Sequence, residues 1–284
     1  MPNKEQSTPS SPPSSSGGST LPSVSVAAVV THASATTVAP AIERLEAVAR
    51  GANVELVFDE GAVRRADIAV VLGGDGTMLR ALARFHGTGI PVIGVNYGRV
   101  GFLTAITSDG LEDGLTRVFA GGYRIVELAT LEVDVGGTTS VAVNDVVVAG
   151  ATLGRMVELG HAIGGEELGV QPCDGLICAS PAGSTAYNLS NGGPVLVWGL
   201  DAMVLTFVAP HALDVRPLVV PRGPDSVITN RTAALDATVL VDGHEVGRLG
   251  NGEQAVVRVG RRPSLLATLP EVTFFRRYSA TFGH

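Results

Sequence analysis

The chain has 284 residues, of which 45% are hydrophobic and 17% charged, so it can bury one large domain or two moderate ones. Its net charge of −7 argues against binding to nucleic acid or to an anionic membrane, because both need basic patches that replace counterions. An anionic ligand must therefore be held locally, by backbone amides, a metal ion or a few arginines.

Residues 1–22 come first in the chain and are almost wholly Ser, Pro, Gly and Thr. Such a segment buries too little apolar surface to offset its ordering entropy, which predicts a disordered tail. From residue 23 onward, short apolar runs alternate with segments of helical spacing. Strands are predicted at 24–30, 54–58, 67–72 and 91–95, and helices at 38–50, 76–85 and, capped by Ser108 or Asp109, up to about 119. This alternation predicts a doubly wound parallel sheet in an α/β domain that spans residues 23–122.

The composition and the pattern of apolar residues change after residue 122. Residues 123–262 contain many short β-rich runs separated by Gly, Pro, Asp and Asn. This pattern is typical of an all-β domain rich in hairpins. The last segment, residues 263–284, has too few features to be placed by pattern alone.

The two cysteines, Cys173 and Cys178, are separated by four residues. Without further cysteines they form neither a disulfide framework nor a zinc site, so we expect two reduced thiols. No apolar run approaches the roughly 20 residues of a membrane span, and the N-terminus lacks the apolar stretch of a signal peptide. We therefore expect a cytoplasmic protein that has neither nucleic acid nor membrane as a partner.

A glycine-rich turn, Gly73-Gly74-Asp75-Gly76-Thr77, follows the third predicted strand directly and opens a helix. Glycines at the carboxyl end of a parallel strand let a phosphate approach the backbone, and the helix N-terminus adds a partial positive charge. Asp75 would repel that phosphate unless it serves a metal ion or takes a proton from an attacking hydroxyl. The alternative is that Asp75 only caps the following helix.

A second cluster, SPAGSTAYNLSNGGP at 180–194, follows a short predicted strand. Its hydroxyl groups and glycines suit a concave site that binds phosphate and amide groups. Tyr187 could stack on a flat ring, and Asp174 could accept a hydrogen bond from an amine or a ribose hydroxyl. The alternative is a loop that turns the chain and caps a helix near Thr185.

Taken together, these motifs resemble the bacterial NAD kinases. The resemblance rests on GGDGT at 73–77, VIGVNYGRVGFLT at 92–104, VNDVVV at 143–148 and DGLICASPAGSTAYNLSNGGP at 174–194. It continues through PHALDVRPLVV at 210–220, VDGHE at 241–245 and FFRRYSATFG near the end. It therefore runs from about residue 24 to 284. It implies the two-domain architecture shared with diacylglycerol kinases, in which residues 263–284 pack back on the N-terminal domain.

The resemblance implies that the enzyme phosphorylates NAD to NADP, with Asp75 as general base for the 2′-hydroxyl of the adenosine ribose. The other implied residues contact the dinucleotide or its phosphates. They are Gly73, Gly74, Gly76, Thr77, Arg80, Asn144, Asp145, Arg155, Asp174, Ala182, Thr185, Ala186, Tyr187, Asn188, Leu189, Ser190 and His244. For Arg80, Arg155 and His244 the alternative is an ordinary solvated side chain. Asp145 stands where many members have Glu, and Ala182 where Thr or Ser is usual.

The resemblance also implies partners. The phosphoryl donor would be ATP or polyphosphate, accompanied by Mg²⁺ or another divalent cation that the donor phosphates largely hold. A homo-oligomer, dimer or tetramer, built through the β domain is expected. Three rival functions stay open from the residues: a lipid or sphingoid-base kinase, a phosphofructokinase-like sugar kinase, and a catalytically silent dinucleotide-binding regulator.

Overall fold

The structure is a computed structural model that describes residues 21–31, 35–58, 65–98, 101–152, 154–212 and 214–283. The predicted tail, residues 1–22, lies outside the described residues except for its last two. Of these, Leu21 donates a backbone hydrogen bond to Gly121 O. No helix in these ranges is long and apolar enough to cross a membrane.

Six strands from the first half of the chain, with a seventh from residues 264–268, form a seven-stranded, mostly parallel sheet with helices packed on it. Its elements are β1 (Val26–Thr31), α1 (Ala35–Ala52), β2 (Glu55–Val57), β3 (Ile68–Gly73), α2 (Asp75–Arg84), β4 (Val92–Asn96), β5 (Ile106–Thr107), α3 (Leu111–Phe119) and β6 (Arg124–Leu128). Strands β2, β1, β3 and β4 are parallel neighbours in that order. Residues 68–72 of β3 are buried on both faces, which explains its unbroken apolar sequence.

Residues 131–259 form two six-stranded antiparallel sheets. The elements are β7 (Leu131–Val135), β8 (Thr138–Ala142), β9 (Asp145–Gly150), β10 (Val157–Ile163), β11 (Glu166–Cys173), β12 (Gly175–Ala179), α4 (Tyr187–Ser190), β13 (Ala202–Val208), β14 (Leu218–Pro221), β15 (Ser226–Asn230), β16 (Ala237–Val241), β17 (His244–Leu249) and β18 (Gln254–Val259). One sheet has the order β11-β10-β15-β18-β7-β8 and the other β14-β13-β12-β9-β16-β17. Both cysteines are free thiols in the apolar core of this domain, where burial raises their pKa to about 12.

The last segment returns to the first sheet. Strand β19 (Ser264–Thr268) pairs in parallel with β4 and antiparallel with β6, and helix α5 (Phe274–Phe282) follows it. The pattern of short β-rich runs places residues 124–128 in the β-rich domain, whereas β6 lies in the α/β sheet. The alternation of polar and apolar side chains along residues 124–128 predicts a strand but not the strand it pairs with. That strand is β19, near the end of the chain.

Helix α5 begins with a side-chain cap, because Thr273 Oγ1 accepts a hydrogen bond from Arg276 N at 3.2 Å. Thr273→Ala is expected to lower the free energy of unfolding by about 1 kcal/mol, since it leaves a helix N–H without its acceptor. Thr281→Ala, an exposed position of the same helix, is the matched control and should cost nothing measurable. Urea denaturation compares the two variants, and equal stabilities would contradict a role for the cap.

Candidate active site

The glycine-rich turn joins β3 to α2 at the carboxyl edge of the parallel sheet. Gly73 ends β3, Gly74 precedes α2, and its carbonyl accepts the N–H groups of Thr77 and Met78 at 3.0 Å each. Gly74 and Gly76 have no side chains that would keep a ligand from the backbone, whereas Thr77, in the first turn of α2, is buried. An anion at this turn would therefore meet free backbone amides at the positive end of α2.

The Asp75 carboxylate does not cap α2, because the cap position is Gly74 and no side chain bonds there. Instead Asp75 Oδ2 accepts the N–H of Phe102 at 2.7 Å and Oδ1 accepts that of Leu103 at 3.0 Å. Gly101 permits this approach, since a Cβ at residue 101 would overlap the carboxylate. Two backbone donors thus fix the direction of Asp75, and each oxygen keeps a lone pair that can accept a proton.

Across from this loop, the Asn144–Asp145 pair begins β9 and is anchored by Asp242. The Asp242 carboxylate accepts the backbone N–H groups of Val143 and Asn144 at 2.8 Å and of Asp145 at 3.1 Å. Asp242 follows β16 with a φ of 47° and donates its own N–H to Asp145 O. These bonds make the start of β9 rigid.

Two polar groups of this pair are unusual for buried side chains. Asn144 Oδ1 is buried and accepts no hydrogen bond from the described residues. Asp145 is 7% exposed, and burial, with a smaller contribution from the charge of Asp242, raises the pKa of Asp145 to about 6. A buried acceptor without a donor and a carboxyl group with a strongly raised pKa are both found preferentially at functional sites.

The raised pKa predicts that Asp145→Asn gains stability relative to wild type as the pH rises. Asp145 in the folded protein keeps a proton that the unfolded chain, with an ordinary pKa of 3.8, has already released. Asp145 therefore contributes fully to the free energy of unfolding of the wild type below about pH 4. This contribution, up to about 3 kcal/mol, is lost as the pH rises through about 6. The asparagine of the variant does not titrate, so its contribution to the free energy of unfolding does not change with pH.

Urea denaturation of the wild type and of Asp145→Asn between about pH 4 and pH 7 measures the difference between their free energies of unfolding. Asp174→Asn, at an exposed aspartate, is the control for removing a carboxylate without the burial of Asp145. A constant difference for Asp145→Asn would contradict the prediction.

The segment 180–190 packs directly against the Asn144–Asp145 pair. Ser180 Oγ donates to Val143 O at 2.5 Å, and Ser180 N donates to Asn144 O at 2.8 Å. At Gly183 a Cβ would overlap the Asn144 backbone, so only glycine allows this contact. Ala182 is buried in the apolar cluster that also contains Met78 of α2 and therefore joins the two domains.

The side chains after Gly183 divide into anchored and accessible ones. Asn188 is fully buried, and its amide is used internally: it donates to Ser184 O and Pro194 O and accepts from Thr206. Tyr187 is 46% exposed, and Ser190 is exposed as well. Thr185, Ala186 and Leu189 are half-buried. Thus Tyr187 can stack on a ligand, whereas Asn188 holds the loop in place.

A cavity of about 490 Å³ lies between α2 and the turn after β16. Gly76 and Arg80 line it from α2, and Asp242 and His244 line it from the β domain. His244 Nδ1 lies 3.1 Å from Asp242 O. The structure therefore brings Arg80 and His244 to the same cavity, next to the glycine loop.

Arg155 and Asp174 lie elsewhere. The carbonyl of Asp174 accepts the N–H of Gly150, at the end of β9 opposite Asp145. At about 3.3 Å per strand residue this is roughly 17 Å from the Asn144–Asp145 pair. Arg155 is exposed in the loop after β9. Within one chain the structure does not bring these two residues to the cavity.

Three residues of the site were not singled out from the sequence. Asp242 anchors the Asn144–Asp145 pair, Gly101 admits the Asp75 carboxylate, and Phe102 donates to it. Each lies within a noted motif, VDGHE or GFLT, and a motif alone does not tell which of its members makes the contact.

Comparisons with known proteins decide the family. Residues 18–123 match the ATP-NAD kinase N-terminal domain, and residues 143–269 match the ATP-NAD kinase C-terminal domain. An NAD kinase of Heliobacterium modesticaldum is 42% identical over 219 residues, which cover 75% of this chain and 77% of the relative. The chain belongs to the NAD kinase family. One from Ralstonia nicotianae is 36% identical over 270 residues, covering 87% of this chain and 89% of the relative.

Solved structures agree with this family. An NAD kinase from Archaeoglobus fulgidus in complex with ATP superposes with a TM-score of 0.75 at 25% identity, covering 91% of this chain and 97% of that one. A yeast NADH kinase complexed with NADH has the same fold, with a TM-score of 0.80 at 22% identity over 92% and 88% of the chains. The family resemblance, the two-domain fold and the assignment as a phosphotransferase are thereby confirmed.

Proposed function

We propose that this NAD kinase transfers the terminal phosphoryl group of ATP or inorganic polyphosphate to the 2′-hydroxyl of the adenosine ribose of NAD, and that Asp75 is the general base. The observation that carries the proposal is the Asp75 carboxylate, oriented by two backbone donors at the head of α2 beside the open glycine turn. The archaeal relative bound to ATP supports a nucleoside triphosphate as donor in this fold.

The proposed step forms one bond and breaks one bond at the terminal phosphorus. The ribose 2′-oxygen forms a bond to the terminal phosphorus as the bond to the bridging donor oxygen breaks, and the leaving group departs as ADP or shortened polyphosphate. The hydroxyl proton passes to the free lone pair of an Asp75 oxygen. Because the transition state is loose, the proton moves late, so the step does not depend on a strong base. Most of the acceleration then comes from positioning.

The β domain would hold the adenosine half of NAD. An exocyclic amine or a ribose hydroxyl can satisfy the buried Asn144 Oδ1, which accepts no bond from the described residues. Tyr187 offers an exposed ring for stacking. Arg80 and His244, which line the cavity beside the glycine turn, are suited to phosphate oxygens.

A divalent cation, expected to be Mg²⁺, would arrive with the donor. Among the described residues no group of three or more His, Cys, Asp or Glu side chains could form a metal site. We expect the donor phosphates to supply most of the ligands of the cation, an arrangement that Mg²⁺ prefers. When bound, the cation neutralises the donor oxygens. Asp75 is the carboxylate that belongs to the glycine turn itself.

We further propose a cytoplasmic homo-oligomer, dimer or tetramer, without nucleic acid as a partner. The position of Asp174, roughly 17 Å from the Asn144–Asp145 pair, and that of Arg155, exposed in the loop after β9, support the oligomer. These residues could serve the dinucleotide only if the β domain of another copy brought them to it. Analytical ultracentrifugation of the full chain tests this, and a monomer that is fully active would contradict it.

The function is tested by incubating the purified protein with NAD or NADH, combined with ATP or polyphosphate, in the presence of Mg²⁺. NADP(H) is detected by a coupled dehydrogenase specific for it. Formation of NADP(H) in at least one of the four mixtures supports the proposal and identifies both substrates. Lack of product in all four would overturn it.

A further inference from the structure

An arginine of the C-terminal helix is buried without an ion-pair partner. Arg277 in α5 is 7% exposed, and its Nε and Nη2 atoms are buried without a hydrogen-bond acceptor. None of the ion pairs among the described residues includes it. A buried charge of this kind destabilises the folded protein unless another group compensates it.

Asp75 is the carboxylate whose negative charge acts on the pKa of Arg277. Burial lowers the pKa of the Arg277 guanidinium to about 10, the negative charge of Asp75 opposes this decrease, and Arg124 adds to it. Because a pKa of about 10 lies well above neutral, Arg277 keeps its positive charge. The face of Trp198, 5.4 Å from the guanidinium carbon, provides a second favourable contact.

The same helix contacts Asp75 by a second route. Phe102, whose N–H bonds Asp75 Oδ2, packs its ring between Phe274 and Phe282 of α5, with centroid distances of 6.0 and 5.7 Å. Phe274 also packs against Trp198 at 5.5 Å. Helix α5, the 101–103 loop and Asp75 therefore form one packed unit.

We propose that Arg277 is a positioning residue, whose buried positive charge holds the Asp75 carboxylate in place against the phosphates of the donor. A carboxylate in a phosphate-binding turn is repelled by the donor, and this repulsion would turn Asp75 away from the ribose hydroxyl or weaken donor binding. A fixed cation behind the carboxylate offsets that repulsion without touching the substrate. The proposal rests on the role of Asp75 proposed above.

The experiment compares Arg277→Met with Arg276→Met in the full-length enzyme. Arg276 is the adjacent residue and is exposed, so both variants lose one positive charge from the same helix. Arg277→Met is expected to lower kcat at least about tenfold while the KM for NAD changes less than about twofold, because the dinucleotide contacts lie in the β domain. Arg276→Met should stay within about twofold of wild type in both constants. Arg277→Lys keeps the charge and should recover most of the lost kcat.

Folding is monitored by the fluorescence of Trp198, the only tryptophan of the chain, which contacts both Arg277 and Phe274. A purely structural arginine would lower the melting temperature together with activity. We expect the melting temperature of Arg277→Met to change little, because the substitution removes the cost of a buried charge together with its attraction to Asp75 and its contact with Trp198. If it does not fold, Arg277→Gln, which loses the charge but keeps a donor, takes its place and should show the same loss of kcat.

An unchanged kcat in the folded variant, or failure of lysine to restore it, would overturn the role of Arg277. These results differ from failure of the proposed function, in which the wild type itself makes no NADP(H) from any of the four substrate pairs.

Discussion

Asp75→Asn is expected to lower kcat for NADP formation by about a thousandfold, the contribution of a well-placed general base. The asparagine amide cannot take the hydroxyl proton. It also cannot accept the N–H groups of both Phe102 and Leu103, because one of its two polar atoms is itself a donor. The side chain therefore loses both its basicity and its fixed direction, whereas the KM for NAD should change little.

Asp113→Asn is the control for this measurement, since Asp113 is exposed in the first turn of α3. It should leave both constants within about twofold of wild type. A melting curve for each variant separates chemistry from unfolding. Turnover by folded Asp75→Asn at a tenth of the wild-type rate or more would refute the role of Asp75 as base.

Gly101→Ala is expected to lower kcat by about a hundredfold, although residue 101 supplies no functional group. A Cβ at this position would overlap the Asp75 carboxylate and push it from its two backbone donors. The φ of Gly101 lies outside the left-handed region, so alanine can adopt the backbone conformation and the contact alone causes the effect. Displacement of a reacting group by about 1 Å can cost two orders of magnitude in rate.

Gly51→Ala is the matched control, because a Cβ there meets no atom within 4 Å. Gly51 lies in the last turn of α1, where alanine should be neutral or slightly stabilising. Steady-state kinetics of the two variants, with the KM for NAD and for ATP recorded separately, measure the effect. Wild-type kcat in Gly101→Ala would show that the position of Asp75 does not depend on this close approach.

Local patterns predicted much of the first domain. Residues 68–72 read as a buried parallel strand because every side chain is apolar, and the glycine turn followed where a phosphate site requires it. The position of Asp75 at the start of a helix could likewise be predicted. Its partners could not, since Phe102 and Leu103 donate backbone N–H groups that carry no sequence signature.

Long-range contacts account for the remaining differences. Strand β6 pairs with β19 in a register that joins Leu128 to Ser264, and periodicity within either strand says nothing about the other. The expected cap of α3 by Ser108 or Asp109 is wrong, because the helix begins after Gly110 and no side chain caps it. Asp242 anchors residues far away in the chain, and the burial of Arg277 depends on Trp198. The Asp242 contacts form once β16 and β9 have paired within the β domain, whereas the contact between Trp198 and Arg277 forms only once helix α5 has packed against that domain.

The order of strands in the first sheet has a consequence for synthesis on the ribosome. Strand β19 separates β4 from β6, although it is made after the whole β domain. Until residues 264–268 leave the exit tunnel, the start of β4 at Val92 lacks its neighbour, because β5 pairs only with the end of β4, and β6 has no strand to pair with. Bare apolar edges recruit other chains, so the nascent protein depends on chaperones or on rapid completion. Messenger RNA truncated before codon 264 should therefore yield an aggregating product rather than a free N-terminal domain.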